Sequence, residues 1–246
     1  MTAITHRPSS GPHPLSPVAL ARLIDISAVQ ACHAESDIRR LAEIARQYNF
    51  INAHVLPNWV PLMRELLAGS ATLVGSPVGF PSGGAITRVK VKEAEALLDD
   101  GVEEMDVVAN IGRLRSGQFS YVLEDLKAVV DVASGHIPVK VILETAYLDD
   151  DQLHAGCDAA VESGADYVKT GTGWSGKPTT VETVCKILSF VGDAVAIKAS
   201  GGIRTLETVT EMLELGVSRF GINSDAAVRL LAAASDVATK GESREE

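Results

Sequence analysis

Eight short runs rich in Val, Ile and other strand-forming residues recur along the chain, most separated by helix-like stretches, and this alternation restricts the possible folds more than any other feature. The runs fall at 23–26, 51–55, 72–75, 104–109, 139–144, 167–170, 195–199 and 219–222. Segments with helical character lie between them, among them 37–47, 89–99, 119–133, 149–162, 181–191 and 206–215. Three of these helices run into a glycine and then a strand, at Gly101, Gly164 and Gly216, where a left-handed residue ends the helix and turns the chain back. Alternating strand and helix implies parallel strands joined by right-handed crossovers. Eight such units predict an α/β protein with a closed (β/α)8 TIM barrel. The alternative is an open doubly wound sheet, but no Gly-x-Gly-x-x-Gly follows the first strand.

The length of 246 residues suits one such barrel, for which about 250 is typical. Aromatic residues are only 4% against 46% hydrophobic, so the core must rest on Val, Ile, Leu and Ala, as a helix-covered parallel sheet does. The net charge of -10 argues against a nucleic-acid partner, which calls for a basic surface. No run of about 18 apolar residues is present, so no membrane span is expected. Cys32, Cys157 and Cys185 are scattered and odd in number, which suits reduced thiols and a cytoplasmic protein better than a disulfide framework or a zinc site. Residues 1–17 hold Pro8, Pro12, Pro14 and Pro17 and lack the apolar centre of a signal peptide, so they read as a disordered leader. The barrel is expected over 18–236 and a flexible acidic tail over 237–246.

Reactive groups of a barrel gather at the C-terminal ends of its strands. There the sequence offers Asp25 on the first strand, Asp106 on the fourth, Lys169 on the sixth and Lys198 on the seventh. Lysine is a poor strand residue and is rarely buried without a partner. Two lysines on adjacent strands imply a shared pocket, in which each cation disfavours the other and burial adds to the effect. An amine so depressed can form an imine with a carbonyl, and a carboxylate such as Asp106 can relay the proton. The competing reading is that each lysine snorkels to solvent. Lys140, early in the fifth strand, is either structural or a support for the site, and Glu144 either caps the following loop or takes part in catalysis. Glycine-rich turns follow the last three strands, as Thr170-Gly-Thr-Gly173, Ser200-Gly-Gly-Ile-Arg204 and Gly221-Ile-Asn-Ser224. Exposed backbone N–H groups in such loops bind anions, and Arg204 either joins them or forms a surface ion pair.

These residues resemble the deoxyribose-phosphate aldolase family. The matching stretches run in order through Leu23-Ile-Asp25, Val78-Gly-Phe-Pro-Ser-Gly83, Val89-Lys-Val-Lys-Glu-Ala94, Glu104-Met-Asp106, Val139-Lys-Val-Ile-Leu-Glu-Thr145, Gly164-Ala-Asp-Tyr-Val-Lys-Thr170 and Lys198-Ala-Ser-Gly-Gly-Ile-Arg204. The resemblance implies reversible cleavage of 2-deoxy-D-ribose 5-phosphate to acetaldehyde and D-glyceraldehyde 3-phosphate, with no metal and no organic cofactor. It places Lys169 at the imine-forming lysine, Lys198 at its partner and Asp106 at the proton relay. The expected substrate-binding set is Asp25, Ser27, His54, Thr170, Thr172, Gly173, Gly201, Gly202, Arg204, Gly221, Asn223 and Ser224.

The sequence departs from the family pattern at several places. His54 stands where a cysteine is common, Gly171 where a serine is usual, and Ser27 where a threonine is found. Asp225 lies in the last loop, where it would repel a phosphate unless it faces away and caps the following helix. His54 either lines the pocket and titrates or is a packed, hydrogen-bonded histidine. Two other functions stay open at this point. One is a related lysine aldolase acting on a different sugar, phosphorylated or not, and the other is a non-catalytic barrel that binds a ligand. A homodimer is the default assembly.

Overall fold

The computed structural model describes residues 15–242. Eight parallel strands close into a barrel in chain order. They are β1 (Ile24–Ala28), β2 (Asn52–Val55), β3 (Leu73–Val78), β4 (Glu104–Val108), β5 (Val139–Ile142), β6 (Tyr167–Lys169), β7 (Ala196–Ser200) and β8 (Arg219–Asn223), with β8 pairing back onto β1. The helices are α1 (Pro17–Ala21), α2 (Glu35–Tyr48), α3 (Val60–Leu66), α4 (Thr87–Asp99), α5 (Ile111–Arg115), α6 (Phe119–Ala133), α7 (Asp150–Glu162), α8 (Val181–Val191), α9 (Leu206–Glu214) and α10 (Ser224–Glu242). The expected (β/α)8 barrel is therefore the fold, and every expected strand overlaps an observed one.

The helices start where local chemistry says they should. Asp149 and Gln152 form a reciprocal capping box at the start of α7, and Thr180 and Thr205 accept from backbone N–H groups at the starts of α8 and α9. Gly101, Gly164 and Gly216 take positive φ after α4, α7 and α9, as the sequence predicts. The hydrophobic core lies between the strands and the helical ring. Ile24, Ile26, Ala53, Val55, Met105, Val107, Val139 and Val141 are buried there, at alternate strand positions.

Four expectations need correction. The short helices α3 and α5 have no counterpart in the predicted segments, because five or seven residues show too little periodicity to register. Strand β3 runs on to Val78, through Pro77, where a proline reads as a strand stop. The boundary of the acidic tail also moves: α10 continues past 236 to Glu242, with Leu230, Leu231 and Ala234 anchoring it in the core. At the other end Ser16 caps α1 and Pro17 begins it, so these last residues of the expected leader are part of the fold. The rest of that leader, 1–14, and residues 243–246 lie outside the described residues.

Candidate active site

The alternate positions that do not face the helices fill the barrel interior, and many of them are polar or charged. Asp25, Asn52, His54, Glu104, Asp106, Lys140, Lys169, Lys198 and Arg219 are all buried. Barrel interiors are usually packed with Val, Ile and Leu. A charged interior persists only if every charge is paired, because an isolated one costs several kcal/mol in a low-dielectric setting.

The pairing centres on Asp106. Its Oδ2 accepts from Lys169 Nζ at 2.8 Å and from Lys198 Nζ at 2.7 Å. Its Oδ1 lies 3.2 Å from His54 Nε2 and 3.5 Å from Lys140 Nζ. Lys198 also meets Asp25 at 2.5 Å. Below this layer Arg219 ties Asp25 at 2.6 Å to Glu104 at 2.9 Å, and Lys140 donates to Glu104 at 2.7 Å. Parallel register sets the two lysines side by side, since Lys169 on β6 is the Cα partner of Lys198 on β7. Gly221 on β8, in register with Ser200, leaves room for both Ser200 and Lys198, since a Cβ there would lie 2.7 Å from Ser200 Cβ and 3.3 Å from Lys198 Cε.

These contacts settle the choice between a pocket and a surface for the lysines. Lys169 is 8% exposed and Lys198 1%, so neither snorkels to solvent. Burial pushes the Lys169 amine down to about 8, with Asp106 opposing the shift and Lys198 adding to it. Repulsion between the lysines is thus not the leading cause that the sequence suggests, because a carboxylate stands between them. Burial alone would raise Asp106 and Asp25. For Asp106, His54, Lys169, Lys198 and Lys140 outweigh burial and hold it well below the usual carboxylate range. For Asp25, Lys198, Arg219, Lys140 and His54 do the same. Burial disfavours the Lys140 cation too, but Asp106, Asp25 and Glu104 reverse the effect and raise it. An amine that loses its proton near pH 8 beside a firmly ionised carboxylate can add to a carbonyl and hand protons to its neighbour.

The remaining expected residues divide by what they touch. Asp25 is spent on Lys198 and Arg219 inside the cluster. Ser27 is half-buried at the top of β1, in register with His54 and Asn223. His54 is packed and hydrogen-bonded, with Nδ1 2.7 Å from Asn52 Oδ1. Thr170 and Thr172 are engaged in hydrogen bonds within the barrel mouth. The Thr170 hydroxyl donates to Ser200 O at 2.8 Å and accepts from Ser200 N at 2.9 Å, while the Thr172 hydroxyl and N–H both reach the Glu144 carboxylate. Glu144 therefore braces the loop after β6 and does not reach the lysines' carboxylate. Gly171 leaves room for it, since a Cβ there would lie 2.7 Å from Glu144 Oε1.

Gly173 is exposed in the same loop with positive φ. Gly201 and Gly202 follow β7 at φ 103° and 71°, a conformation that suits glycine. Arg204 is exposed and forms no ion pair among the described residues. Asn223 accepts from Ala226 N at 2.9 Å and so caps α10, which begins at Ser224. Asp225 neither caps that helix nor faces the loops: it pairs with Arg40 of α2 at 2.8 Å on the outside. The expected repulsion of a phosphate by Asp225 is thereby removed.

Sequence reasoning did not single out Asn52, Gly75, Glu104 or Arg219 for the site. Two of them carry a readable signal: Asn52-Ala-His54 and Glu104-Met-Asp106 place two polar residues at a spacing of two, hence on one face of one strand.

No family model matches the chain. The chain is 53% identical over 195 residues to the deoxyribose-phosphate aldolase of Rhizobium meliloti, covering 79% of this chain and 78% of that protein. It is 48% identical over 187 residues to the Klebsiella pneumoniae enzyme of the same name, covering 75% of each. Among solved structures, the tetrameric deoxyribose phosphate aldolase of Aeropyrum pernix superposes with a TM-score of 0.82 at 32% identity, covering 90% of this chain and 93% of that one. A mandelate oxidase superposes with a TM-score of 0.61 at 16% identity, which reflects the barrel alone.

Proposed function

The chain belongs to the deoxyribose-phosphate aldolase family, and from that premise we propose that Lys169 is the amine that forms the imine, with Lys198 and Asp106 as its proton-handling partners. The enzyme is a carbon–carbon lyase that cleaves 2-deoxy-D-ribose 5-phosphate reversibly to acetaldehyde and D-glyceraldehyde 3-phosphate. One observation carries the assignment of Lys169. Of the three buried lysines that meet Asp106, it is the most exposed, and burial has brought it to about 8.

The chemistry then runs as follows. The Lys169 amine adds to C1 of the open-chain sugar and water leaves, giving a protonated imine. That imine draws electrons as the C2–C3 bond breaks, while the C3 hydroxyl gives up its proton and becomes the aldehyde of the departing three-carbon phosphate. The resulting enamine takes a proton at C2, and water releases acetaldehyde from Lys169. Asp106 touches both lysines through one oxygen, so a proton taken up at one amine can be returned at the other. Lys198, paired with Asp25 and Asp106, supplies the ammonium end of that exchange.

The phosphate end of the substrate is assigned to Gly201, Gly202, Gly221 and the start of α10 at Ser224. The assignment is supported by positive φ at both Gly201 and Gly202 and by the N-terminus of a 19-residue helix, where Asn223 occupies the Ala226 N–H. Arg204, exposed and without an ion pair among the described residues, is at hand as a cation. Ser27 and Gly173, at the mouth of the barrel, are assigned to the sugar hydroxyls. Steady-state cleavage of phosphorylated and free deoxyribose tests the phosphate assignment. The phosphorylated sugar should be preferred by at least an order of magnitude in kcat/KM; equal use of the two would refute it.

The reading carries a cytoplasmic location, supported by three unpaired cysteines and by the lack, among the described residues, of any helix long and apolar enough to cross a membrane. It also carries self-association, at least as a two-fold dimer, and a monomer in sedimentation would refute that part.

A further inference from the structure

The barrel interior contains a hydrogen-bond chain whose last link needs a proton. Glu104 receives Lys140 Nζ at 2.7 Å and Arg219 at 2.9 Å, so its carboxylate is surrounded by donors. The Asn52 side chain must therefore turn its NH2 toward Glu104, which lies 2.9 Å away. That leaves the Asn52 carbonyl oxygen facing His54 Nδ1 at 2.7 Å, and an oxygen with no hydrogen requires Nδ1 to be the donor. A neutral imidazole with its hydrogen on Nδ1 has a bare lone pair on Nε2. Yet Nε2 is buried and, among the described residues, has no hydrogen-bond partner; it lies 3.2 Å from Asp106 Oδ1, which accepts no hydrogen bond there and has Lys140 Nζ only as an ion-pair neighbour at 3.5 Å. Two unshared lone pairs facing each other at 3.2 Å between buried side chains is an arrangement folded proteins avoid.

We propose that a proton occupies this gap, shared between His54 Nε2 and Asp106 Oδ1, and that His54 thereby acts as a positioning residue for the Asp106–Lys169 pair.

The ring is held in place for this contact. Gly75 on β3 carries no side chain at the one point where a Cβ would fall 2.2 Å from His54 Cε1 and 2.4 Å from Nδ1. Even alanine at 75 would expel the ring from its place. The charge inventory agrees. The groups around His54 are Asp25 from β1, Glu104 and Asp106 from β4, Lys140 from β5, Lys169 from β6, Lys198 from β7 and Arg219 from β8, and β3 contributes no charge beside the ring. Four cations face three carboxylates. Once Lys169 has given up its proton, above about pH 8, a proton at the His54–Asp106 contact leaves the total charge of the cluster as it was. Burial holds an isolated imidazolium down, with Asp106 opposing that effect; a proton held in common spares the interior a bare imidazolium. Offsetting the charge on one oxygen of Asp106 weakens its hold on an ammonium at the other. That favours the free amine of Lys169, so the functional half of the inference rests on Lys169 being the nucleophile.

The test uses the full chain labelled with 15N in its histidine rings, with His54 assigned by its loss in His54→Asn. Between pH 6 and 8 both ring nitrogens of His54 should carry proton density. A bare Nε2, or the reverse tautomer with a bare Nδ1, would overturn the proposal, and this readout needs only the unaltered protein. In His54→Asn, borohydride trapping of acetaldehyde on Lys169 should keep its plateau while its pH midpoint moves up by about one unit, which is about tenfold slower trapping at pH 7. An unmoved midpoint would overturn the positioning role. If no lysine of the wild-type protein traps acetaldehyde, the aldolase assignment fails, while the ring protonation is still decided by the nitrogen signals.

Discussion

Lys169 costs the fold something in order to be reactive. Its pKa is lowered from 10.5 to about 8, so below pH 8 the native state holds a buried ammonium that the unfolded chain would keep in water. This is a depressed lysine, and the unfolded state binds more protons between about 8 and 10.5. Stability should therefore rise with pH through that window, the penalty being present in full below it. Lys169→Met should abolish cleavage, hold or raise stability by about 1–2 kcal/mol at pH 7, and lose that alkaline rise. Thermal melts of both proteins from pH 7 to 10.5 check this; a Met variant markedly less stable than the wild type would contradict it. The lysines themselves are readable in the sequence because they interrupt apolar strands. Their common carboxylate is readable too, but the distance between them is not, and that distance replaces mutual repulsion with burial as the cause of the shift.

The elements were legible to the extent that periodicity could show them. Strands of three to six residues with buried alternate positions appear as apolar runs, and the glycines after α4, α7 and α9 mark the ends of those helices. What stays hidden is pairing across elements. Lys90 of α4 reads as one polar residue in Val89-Lys-Val-Lys, yet it is fully buried and donates to Asp125 of α6 at 2.6 Å and to Val108 O at 2.8 Å. Only the packing of α4 against α6 reveals this tie. Asp125→Ala should leave the Lys90 cation stranded and cost about 3–5 kcal/mol in urea unfolding. Lys90 lies outside the charged cluster of the barrel, so the pH profile of cleavage should keep its midpoint. Asp225 teaches the same lesson in reverse: the sequence places it beside the anion-binding loop, and the turn of α10 carries it outward to Arg40.

Across the whole molecule, six of the eight strands contribute a charge to one interior cluster, and that makes the fold sensitive to acid. Asp25 and Asp106 are both lowered from 3.8, so their contribution to stability is complete above about pH 4 and is lost as pH falls through their native values. Melting temperature should be level from pH 5 to 7 and drop steeply below 4, and in Asp25→Asn the drop should be shallower. Closure of the barrel also brings together residues as far apart in the chain as Asp25, Asp106 and Lys198, and from these the single reactive amine emerges. The most direct test of that outcome is to incubate the protein with acetaldehyde, reduce with borohydride and map the adduct by mass spectrometry. One reduced ethyl group is expected, on Lys169; an adduct on Lys198 instead, or on no lysine at all, would overturn the assignment of Lys169 as the reactive amine.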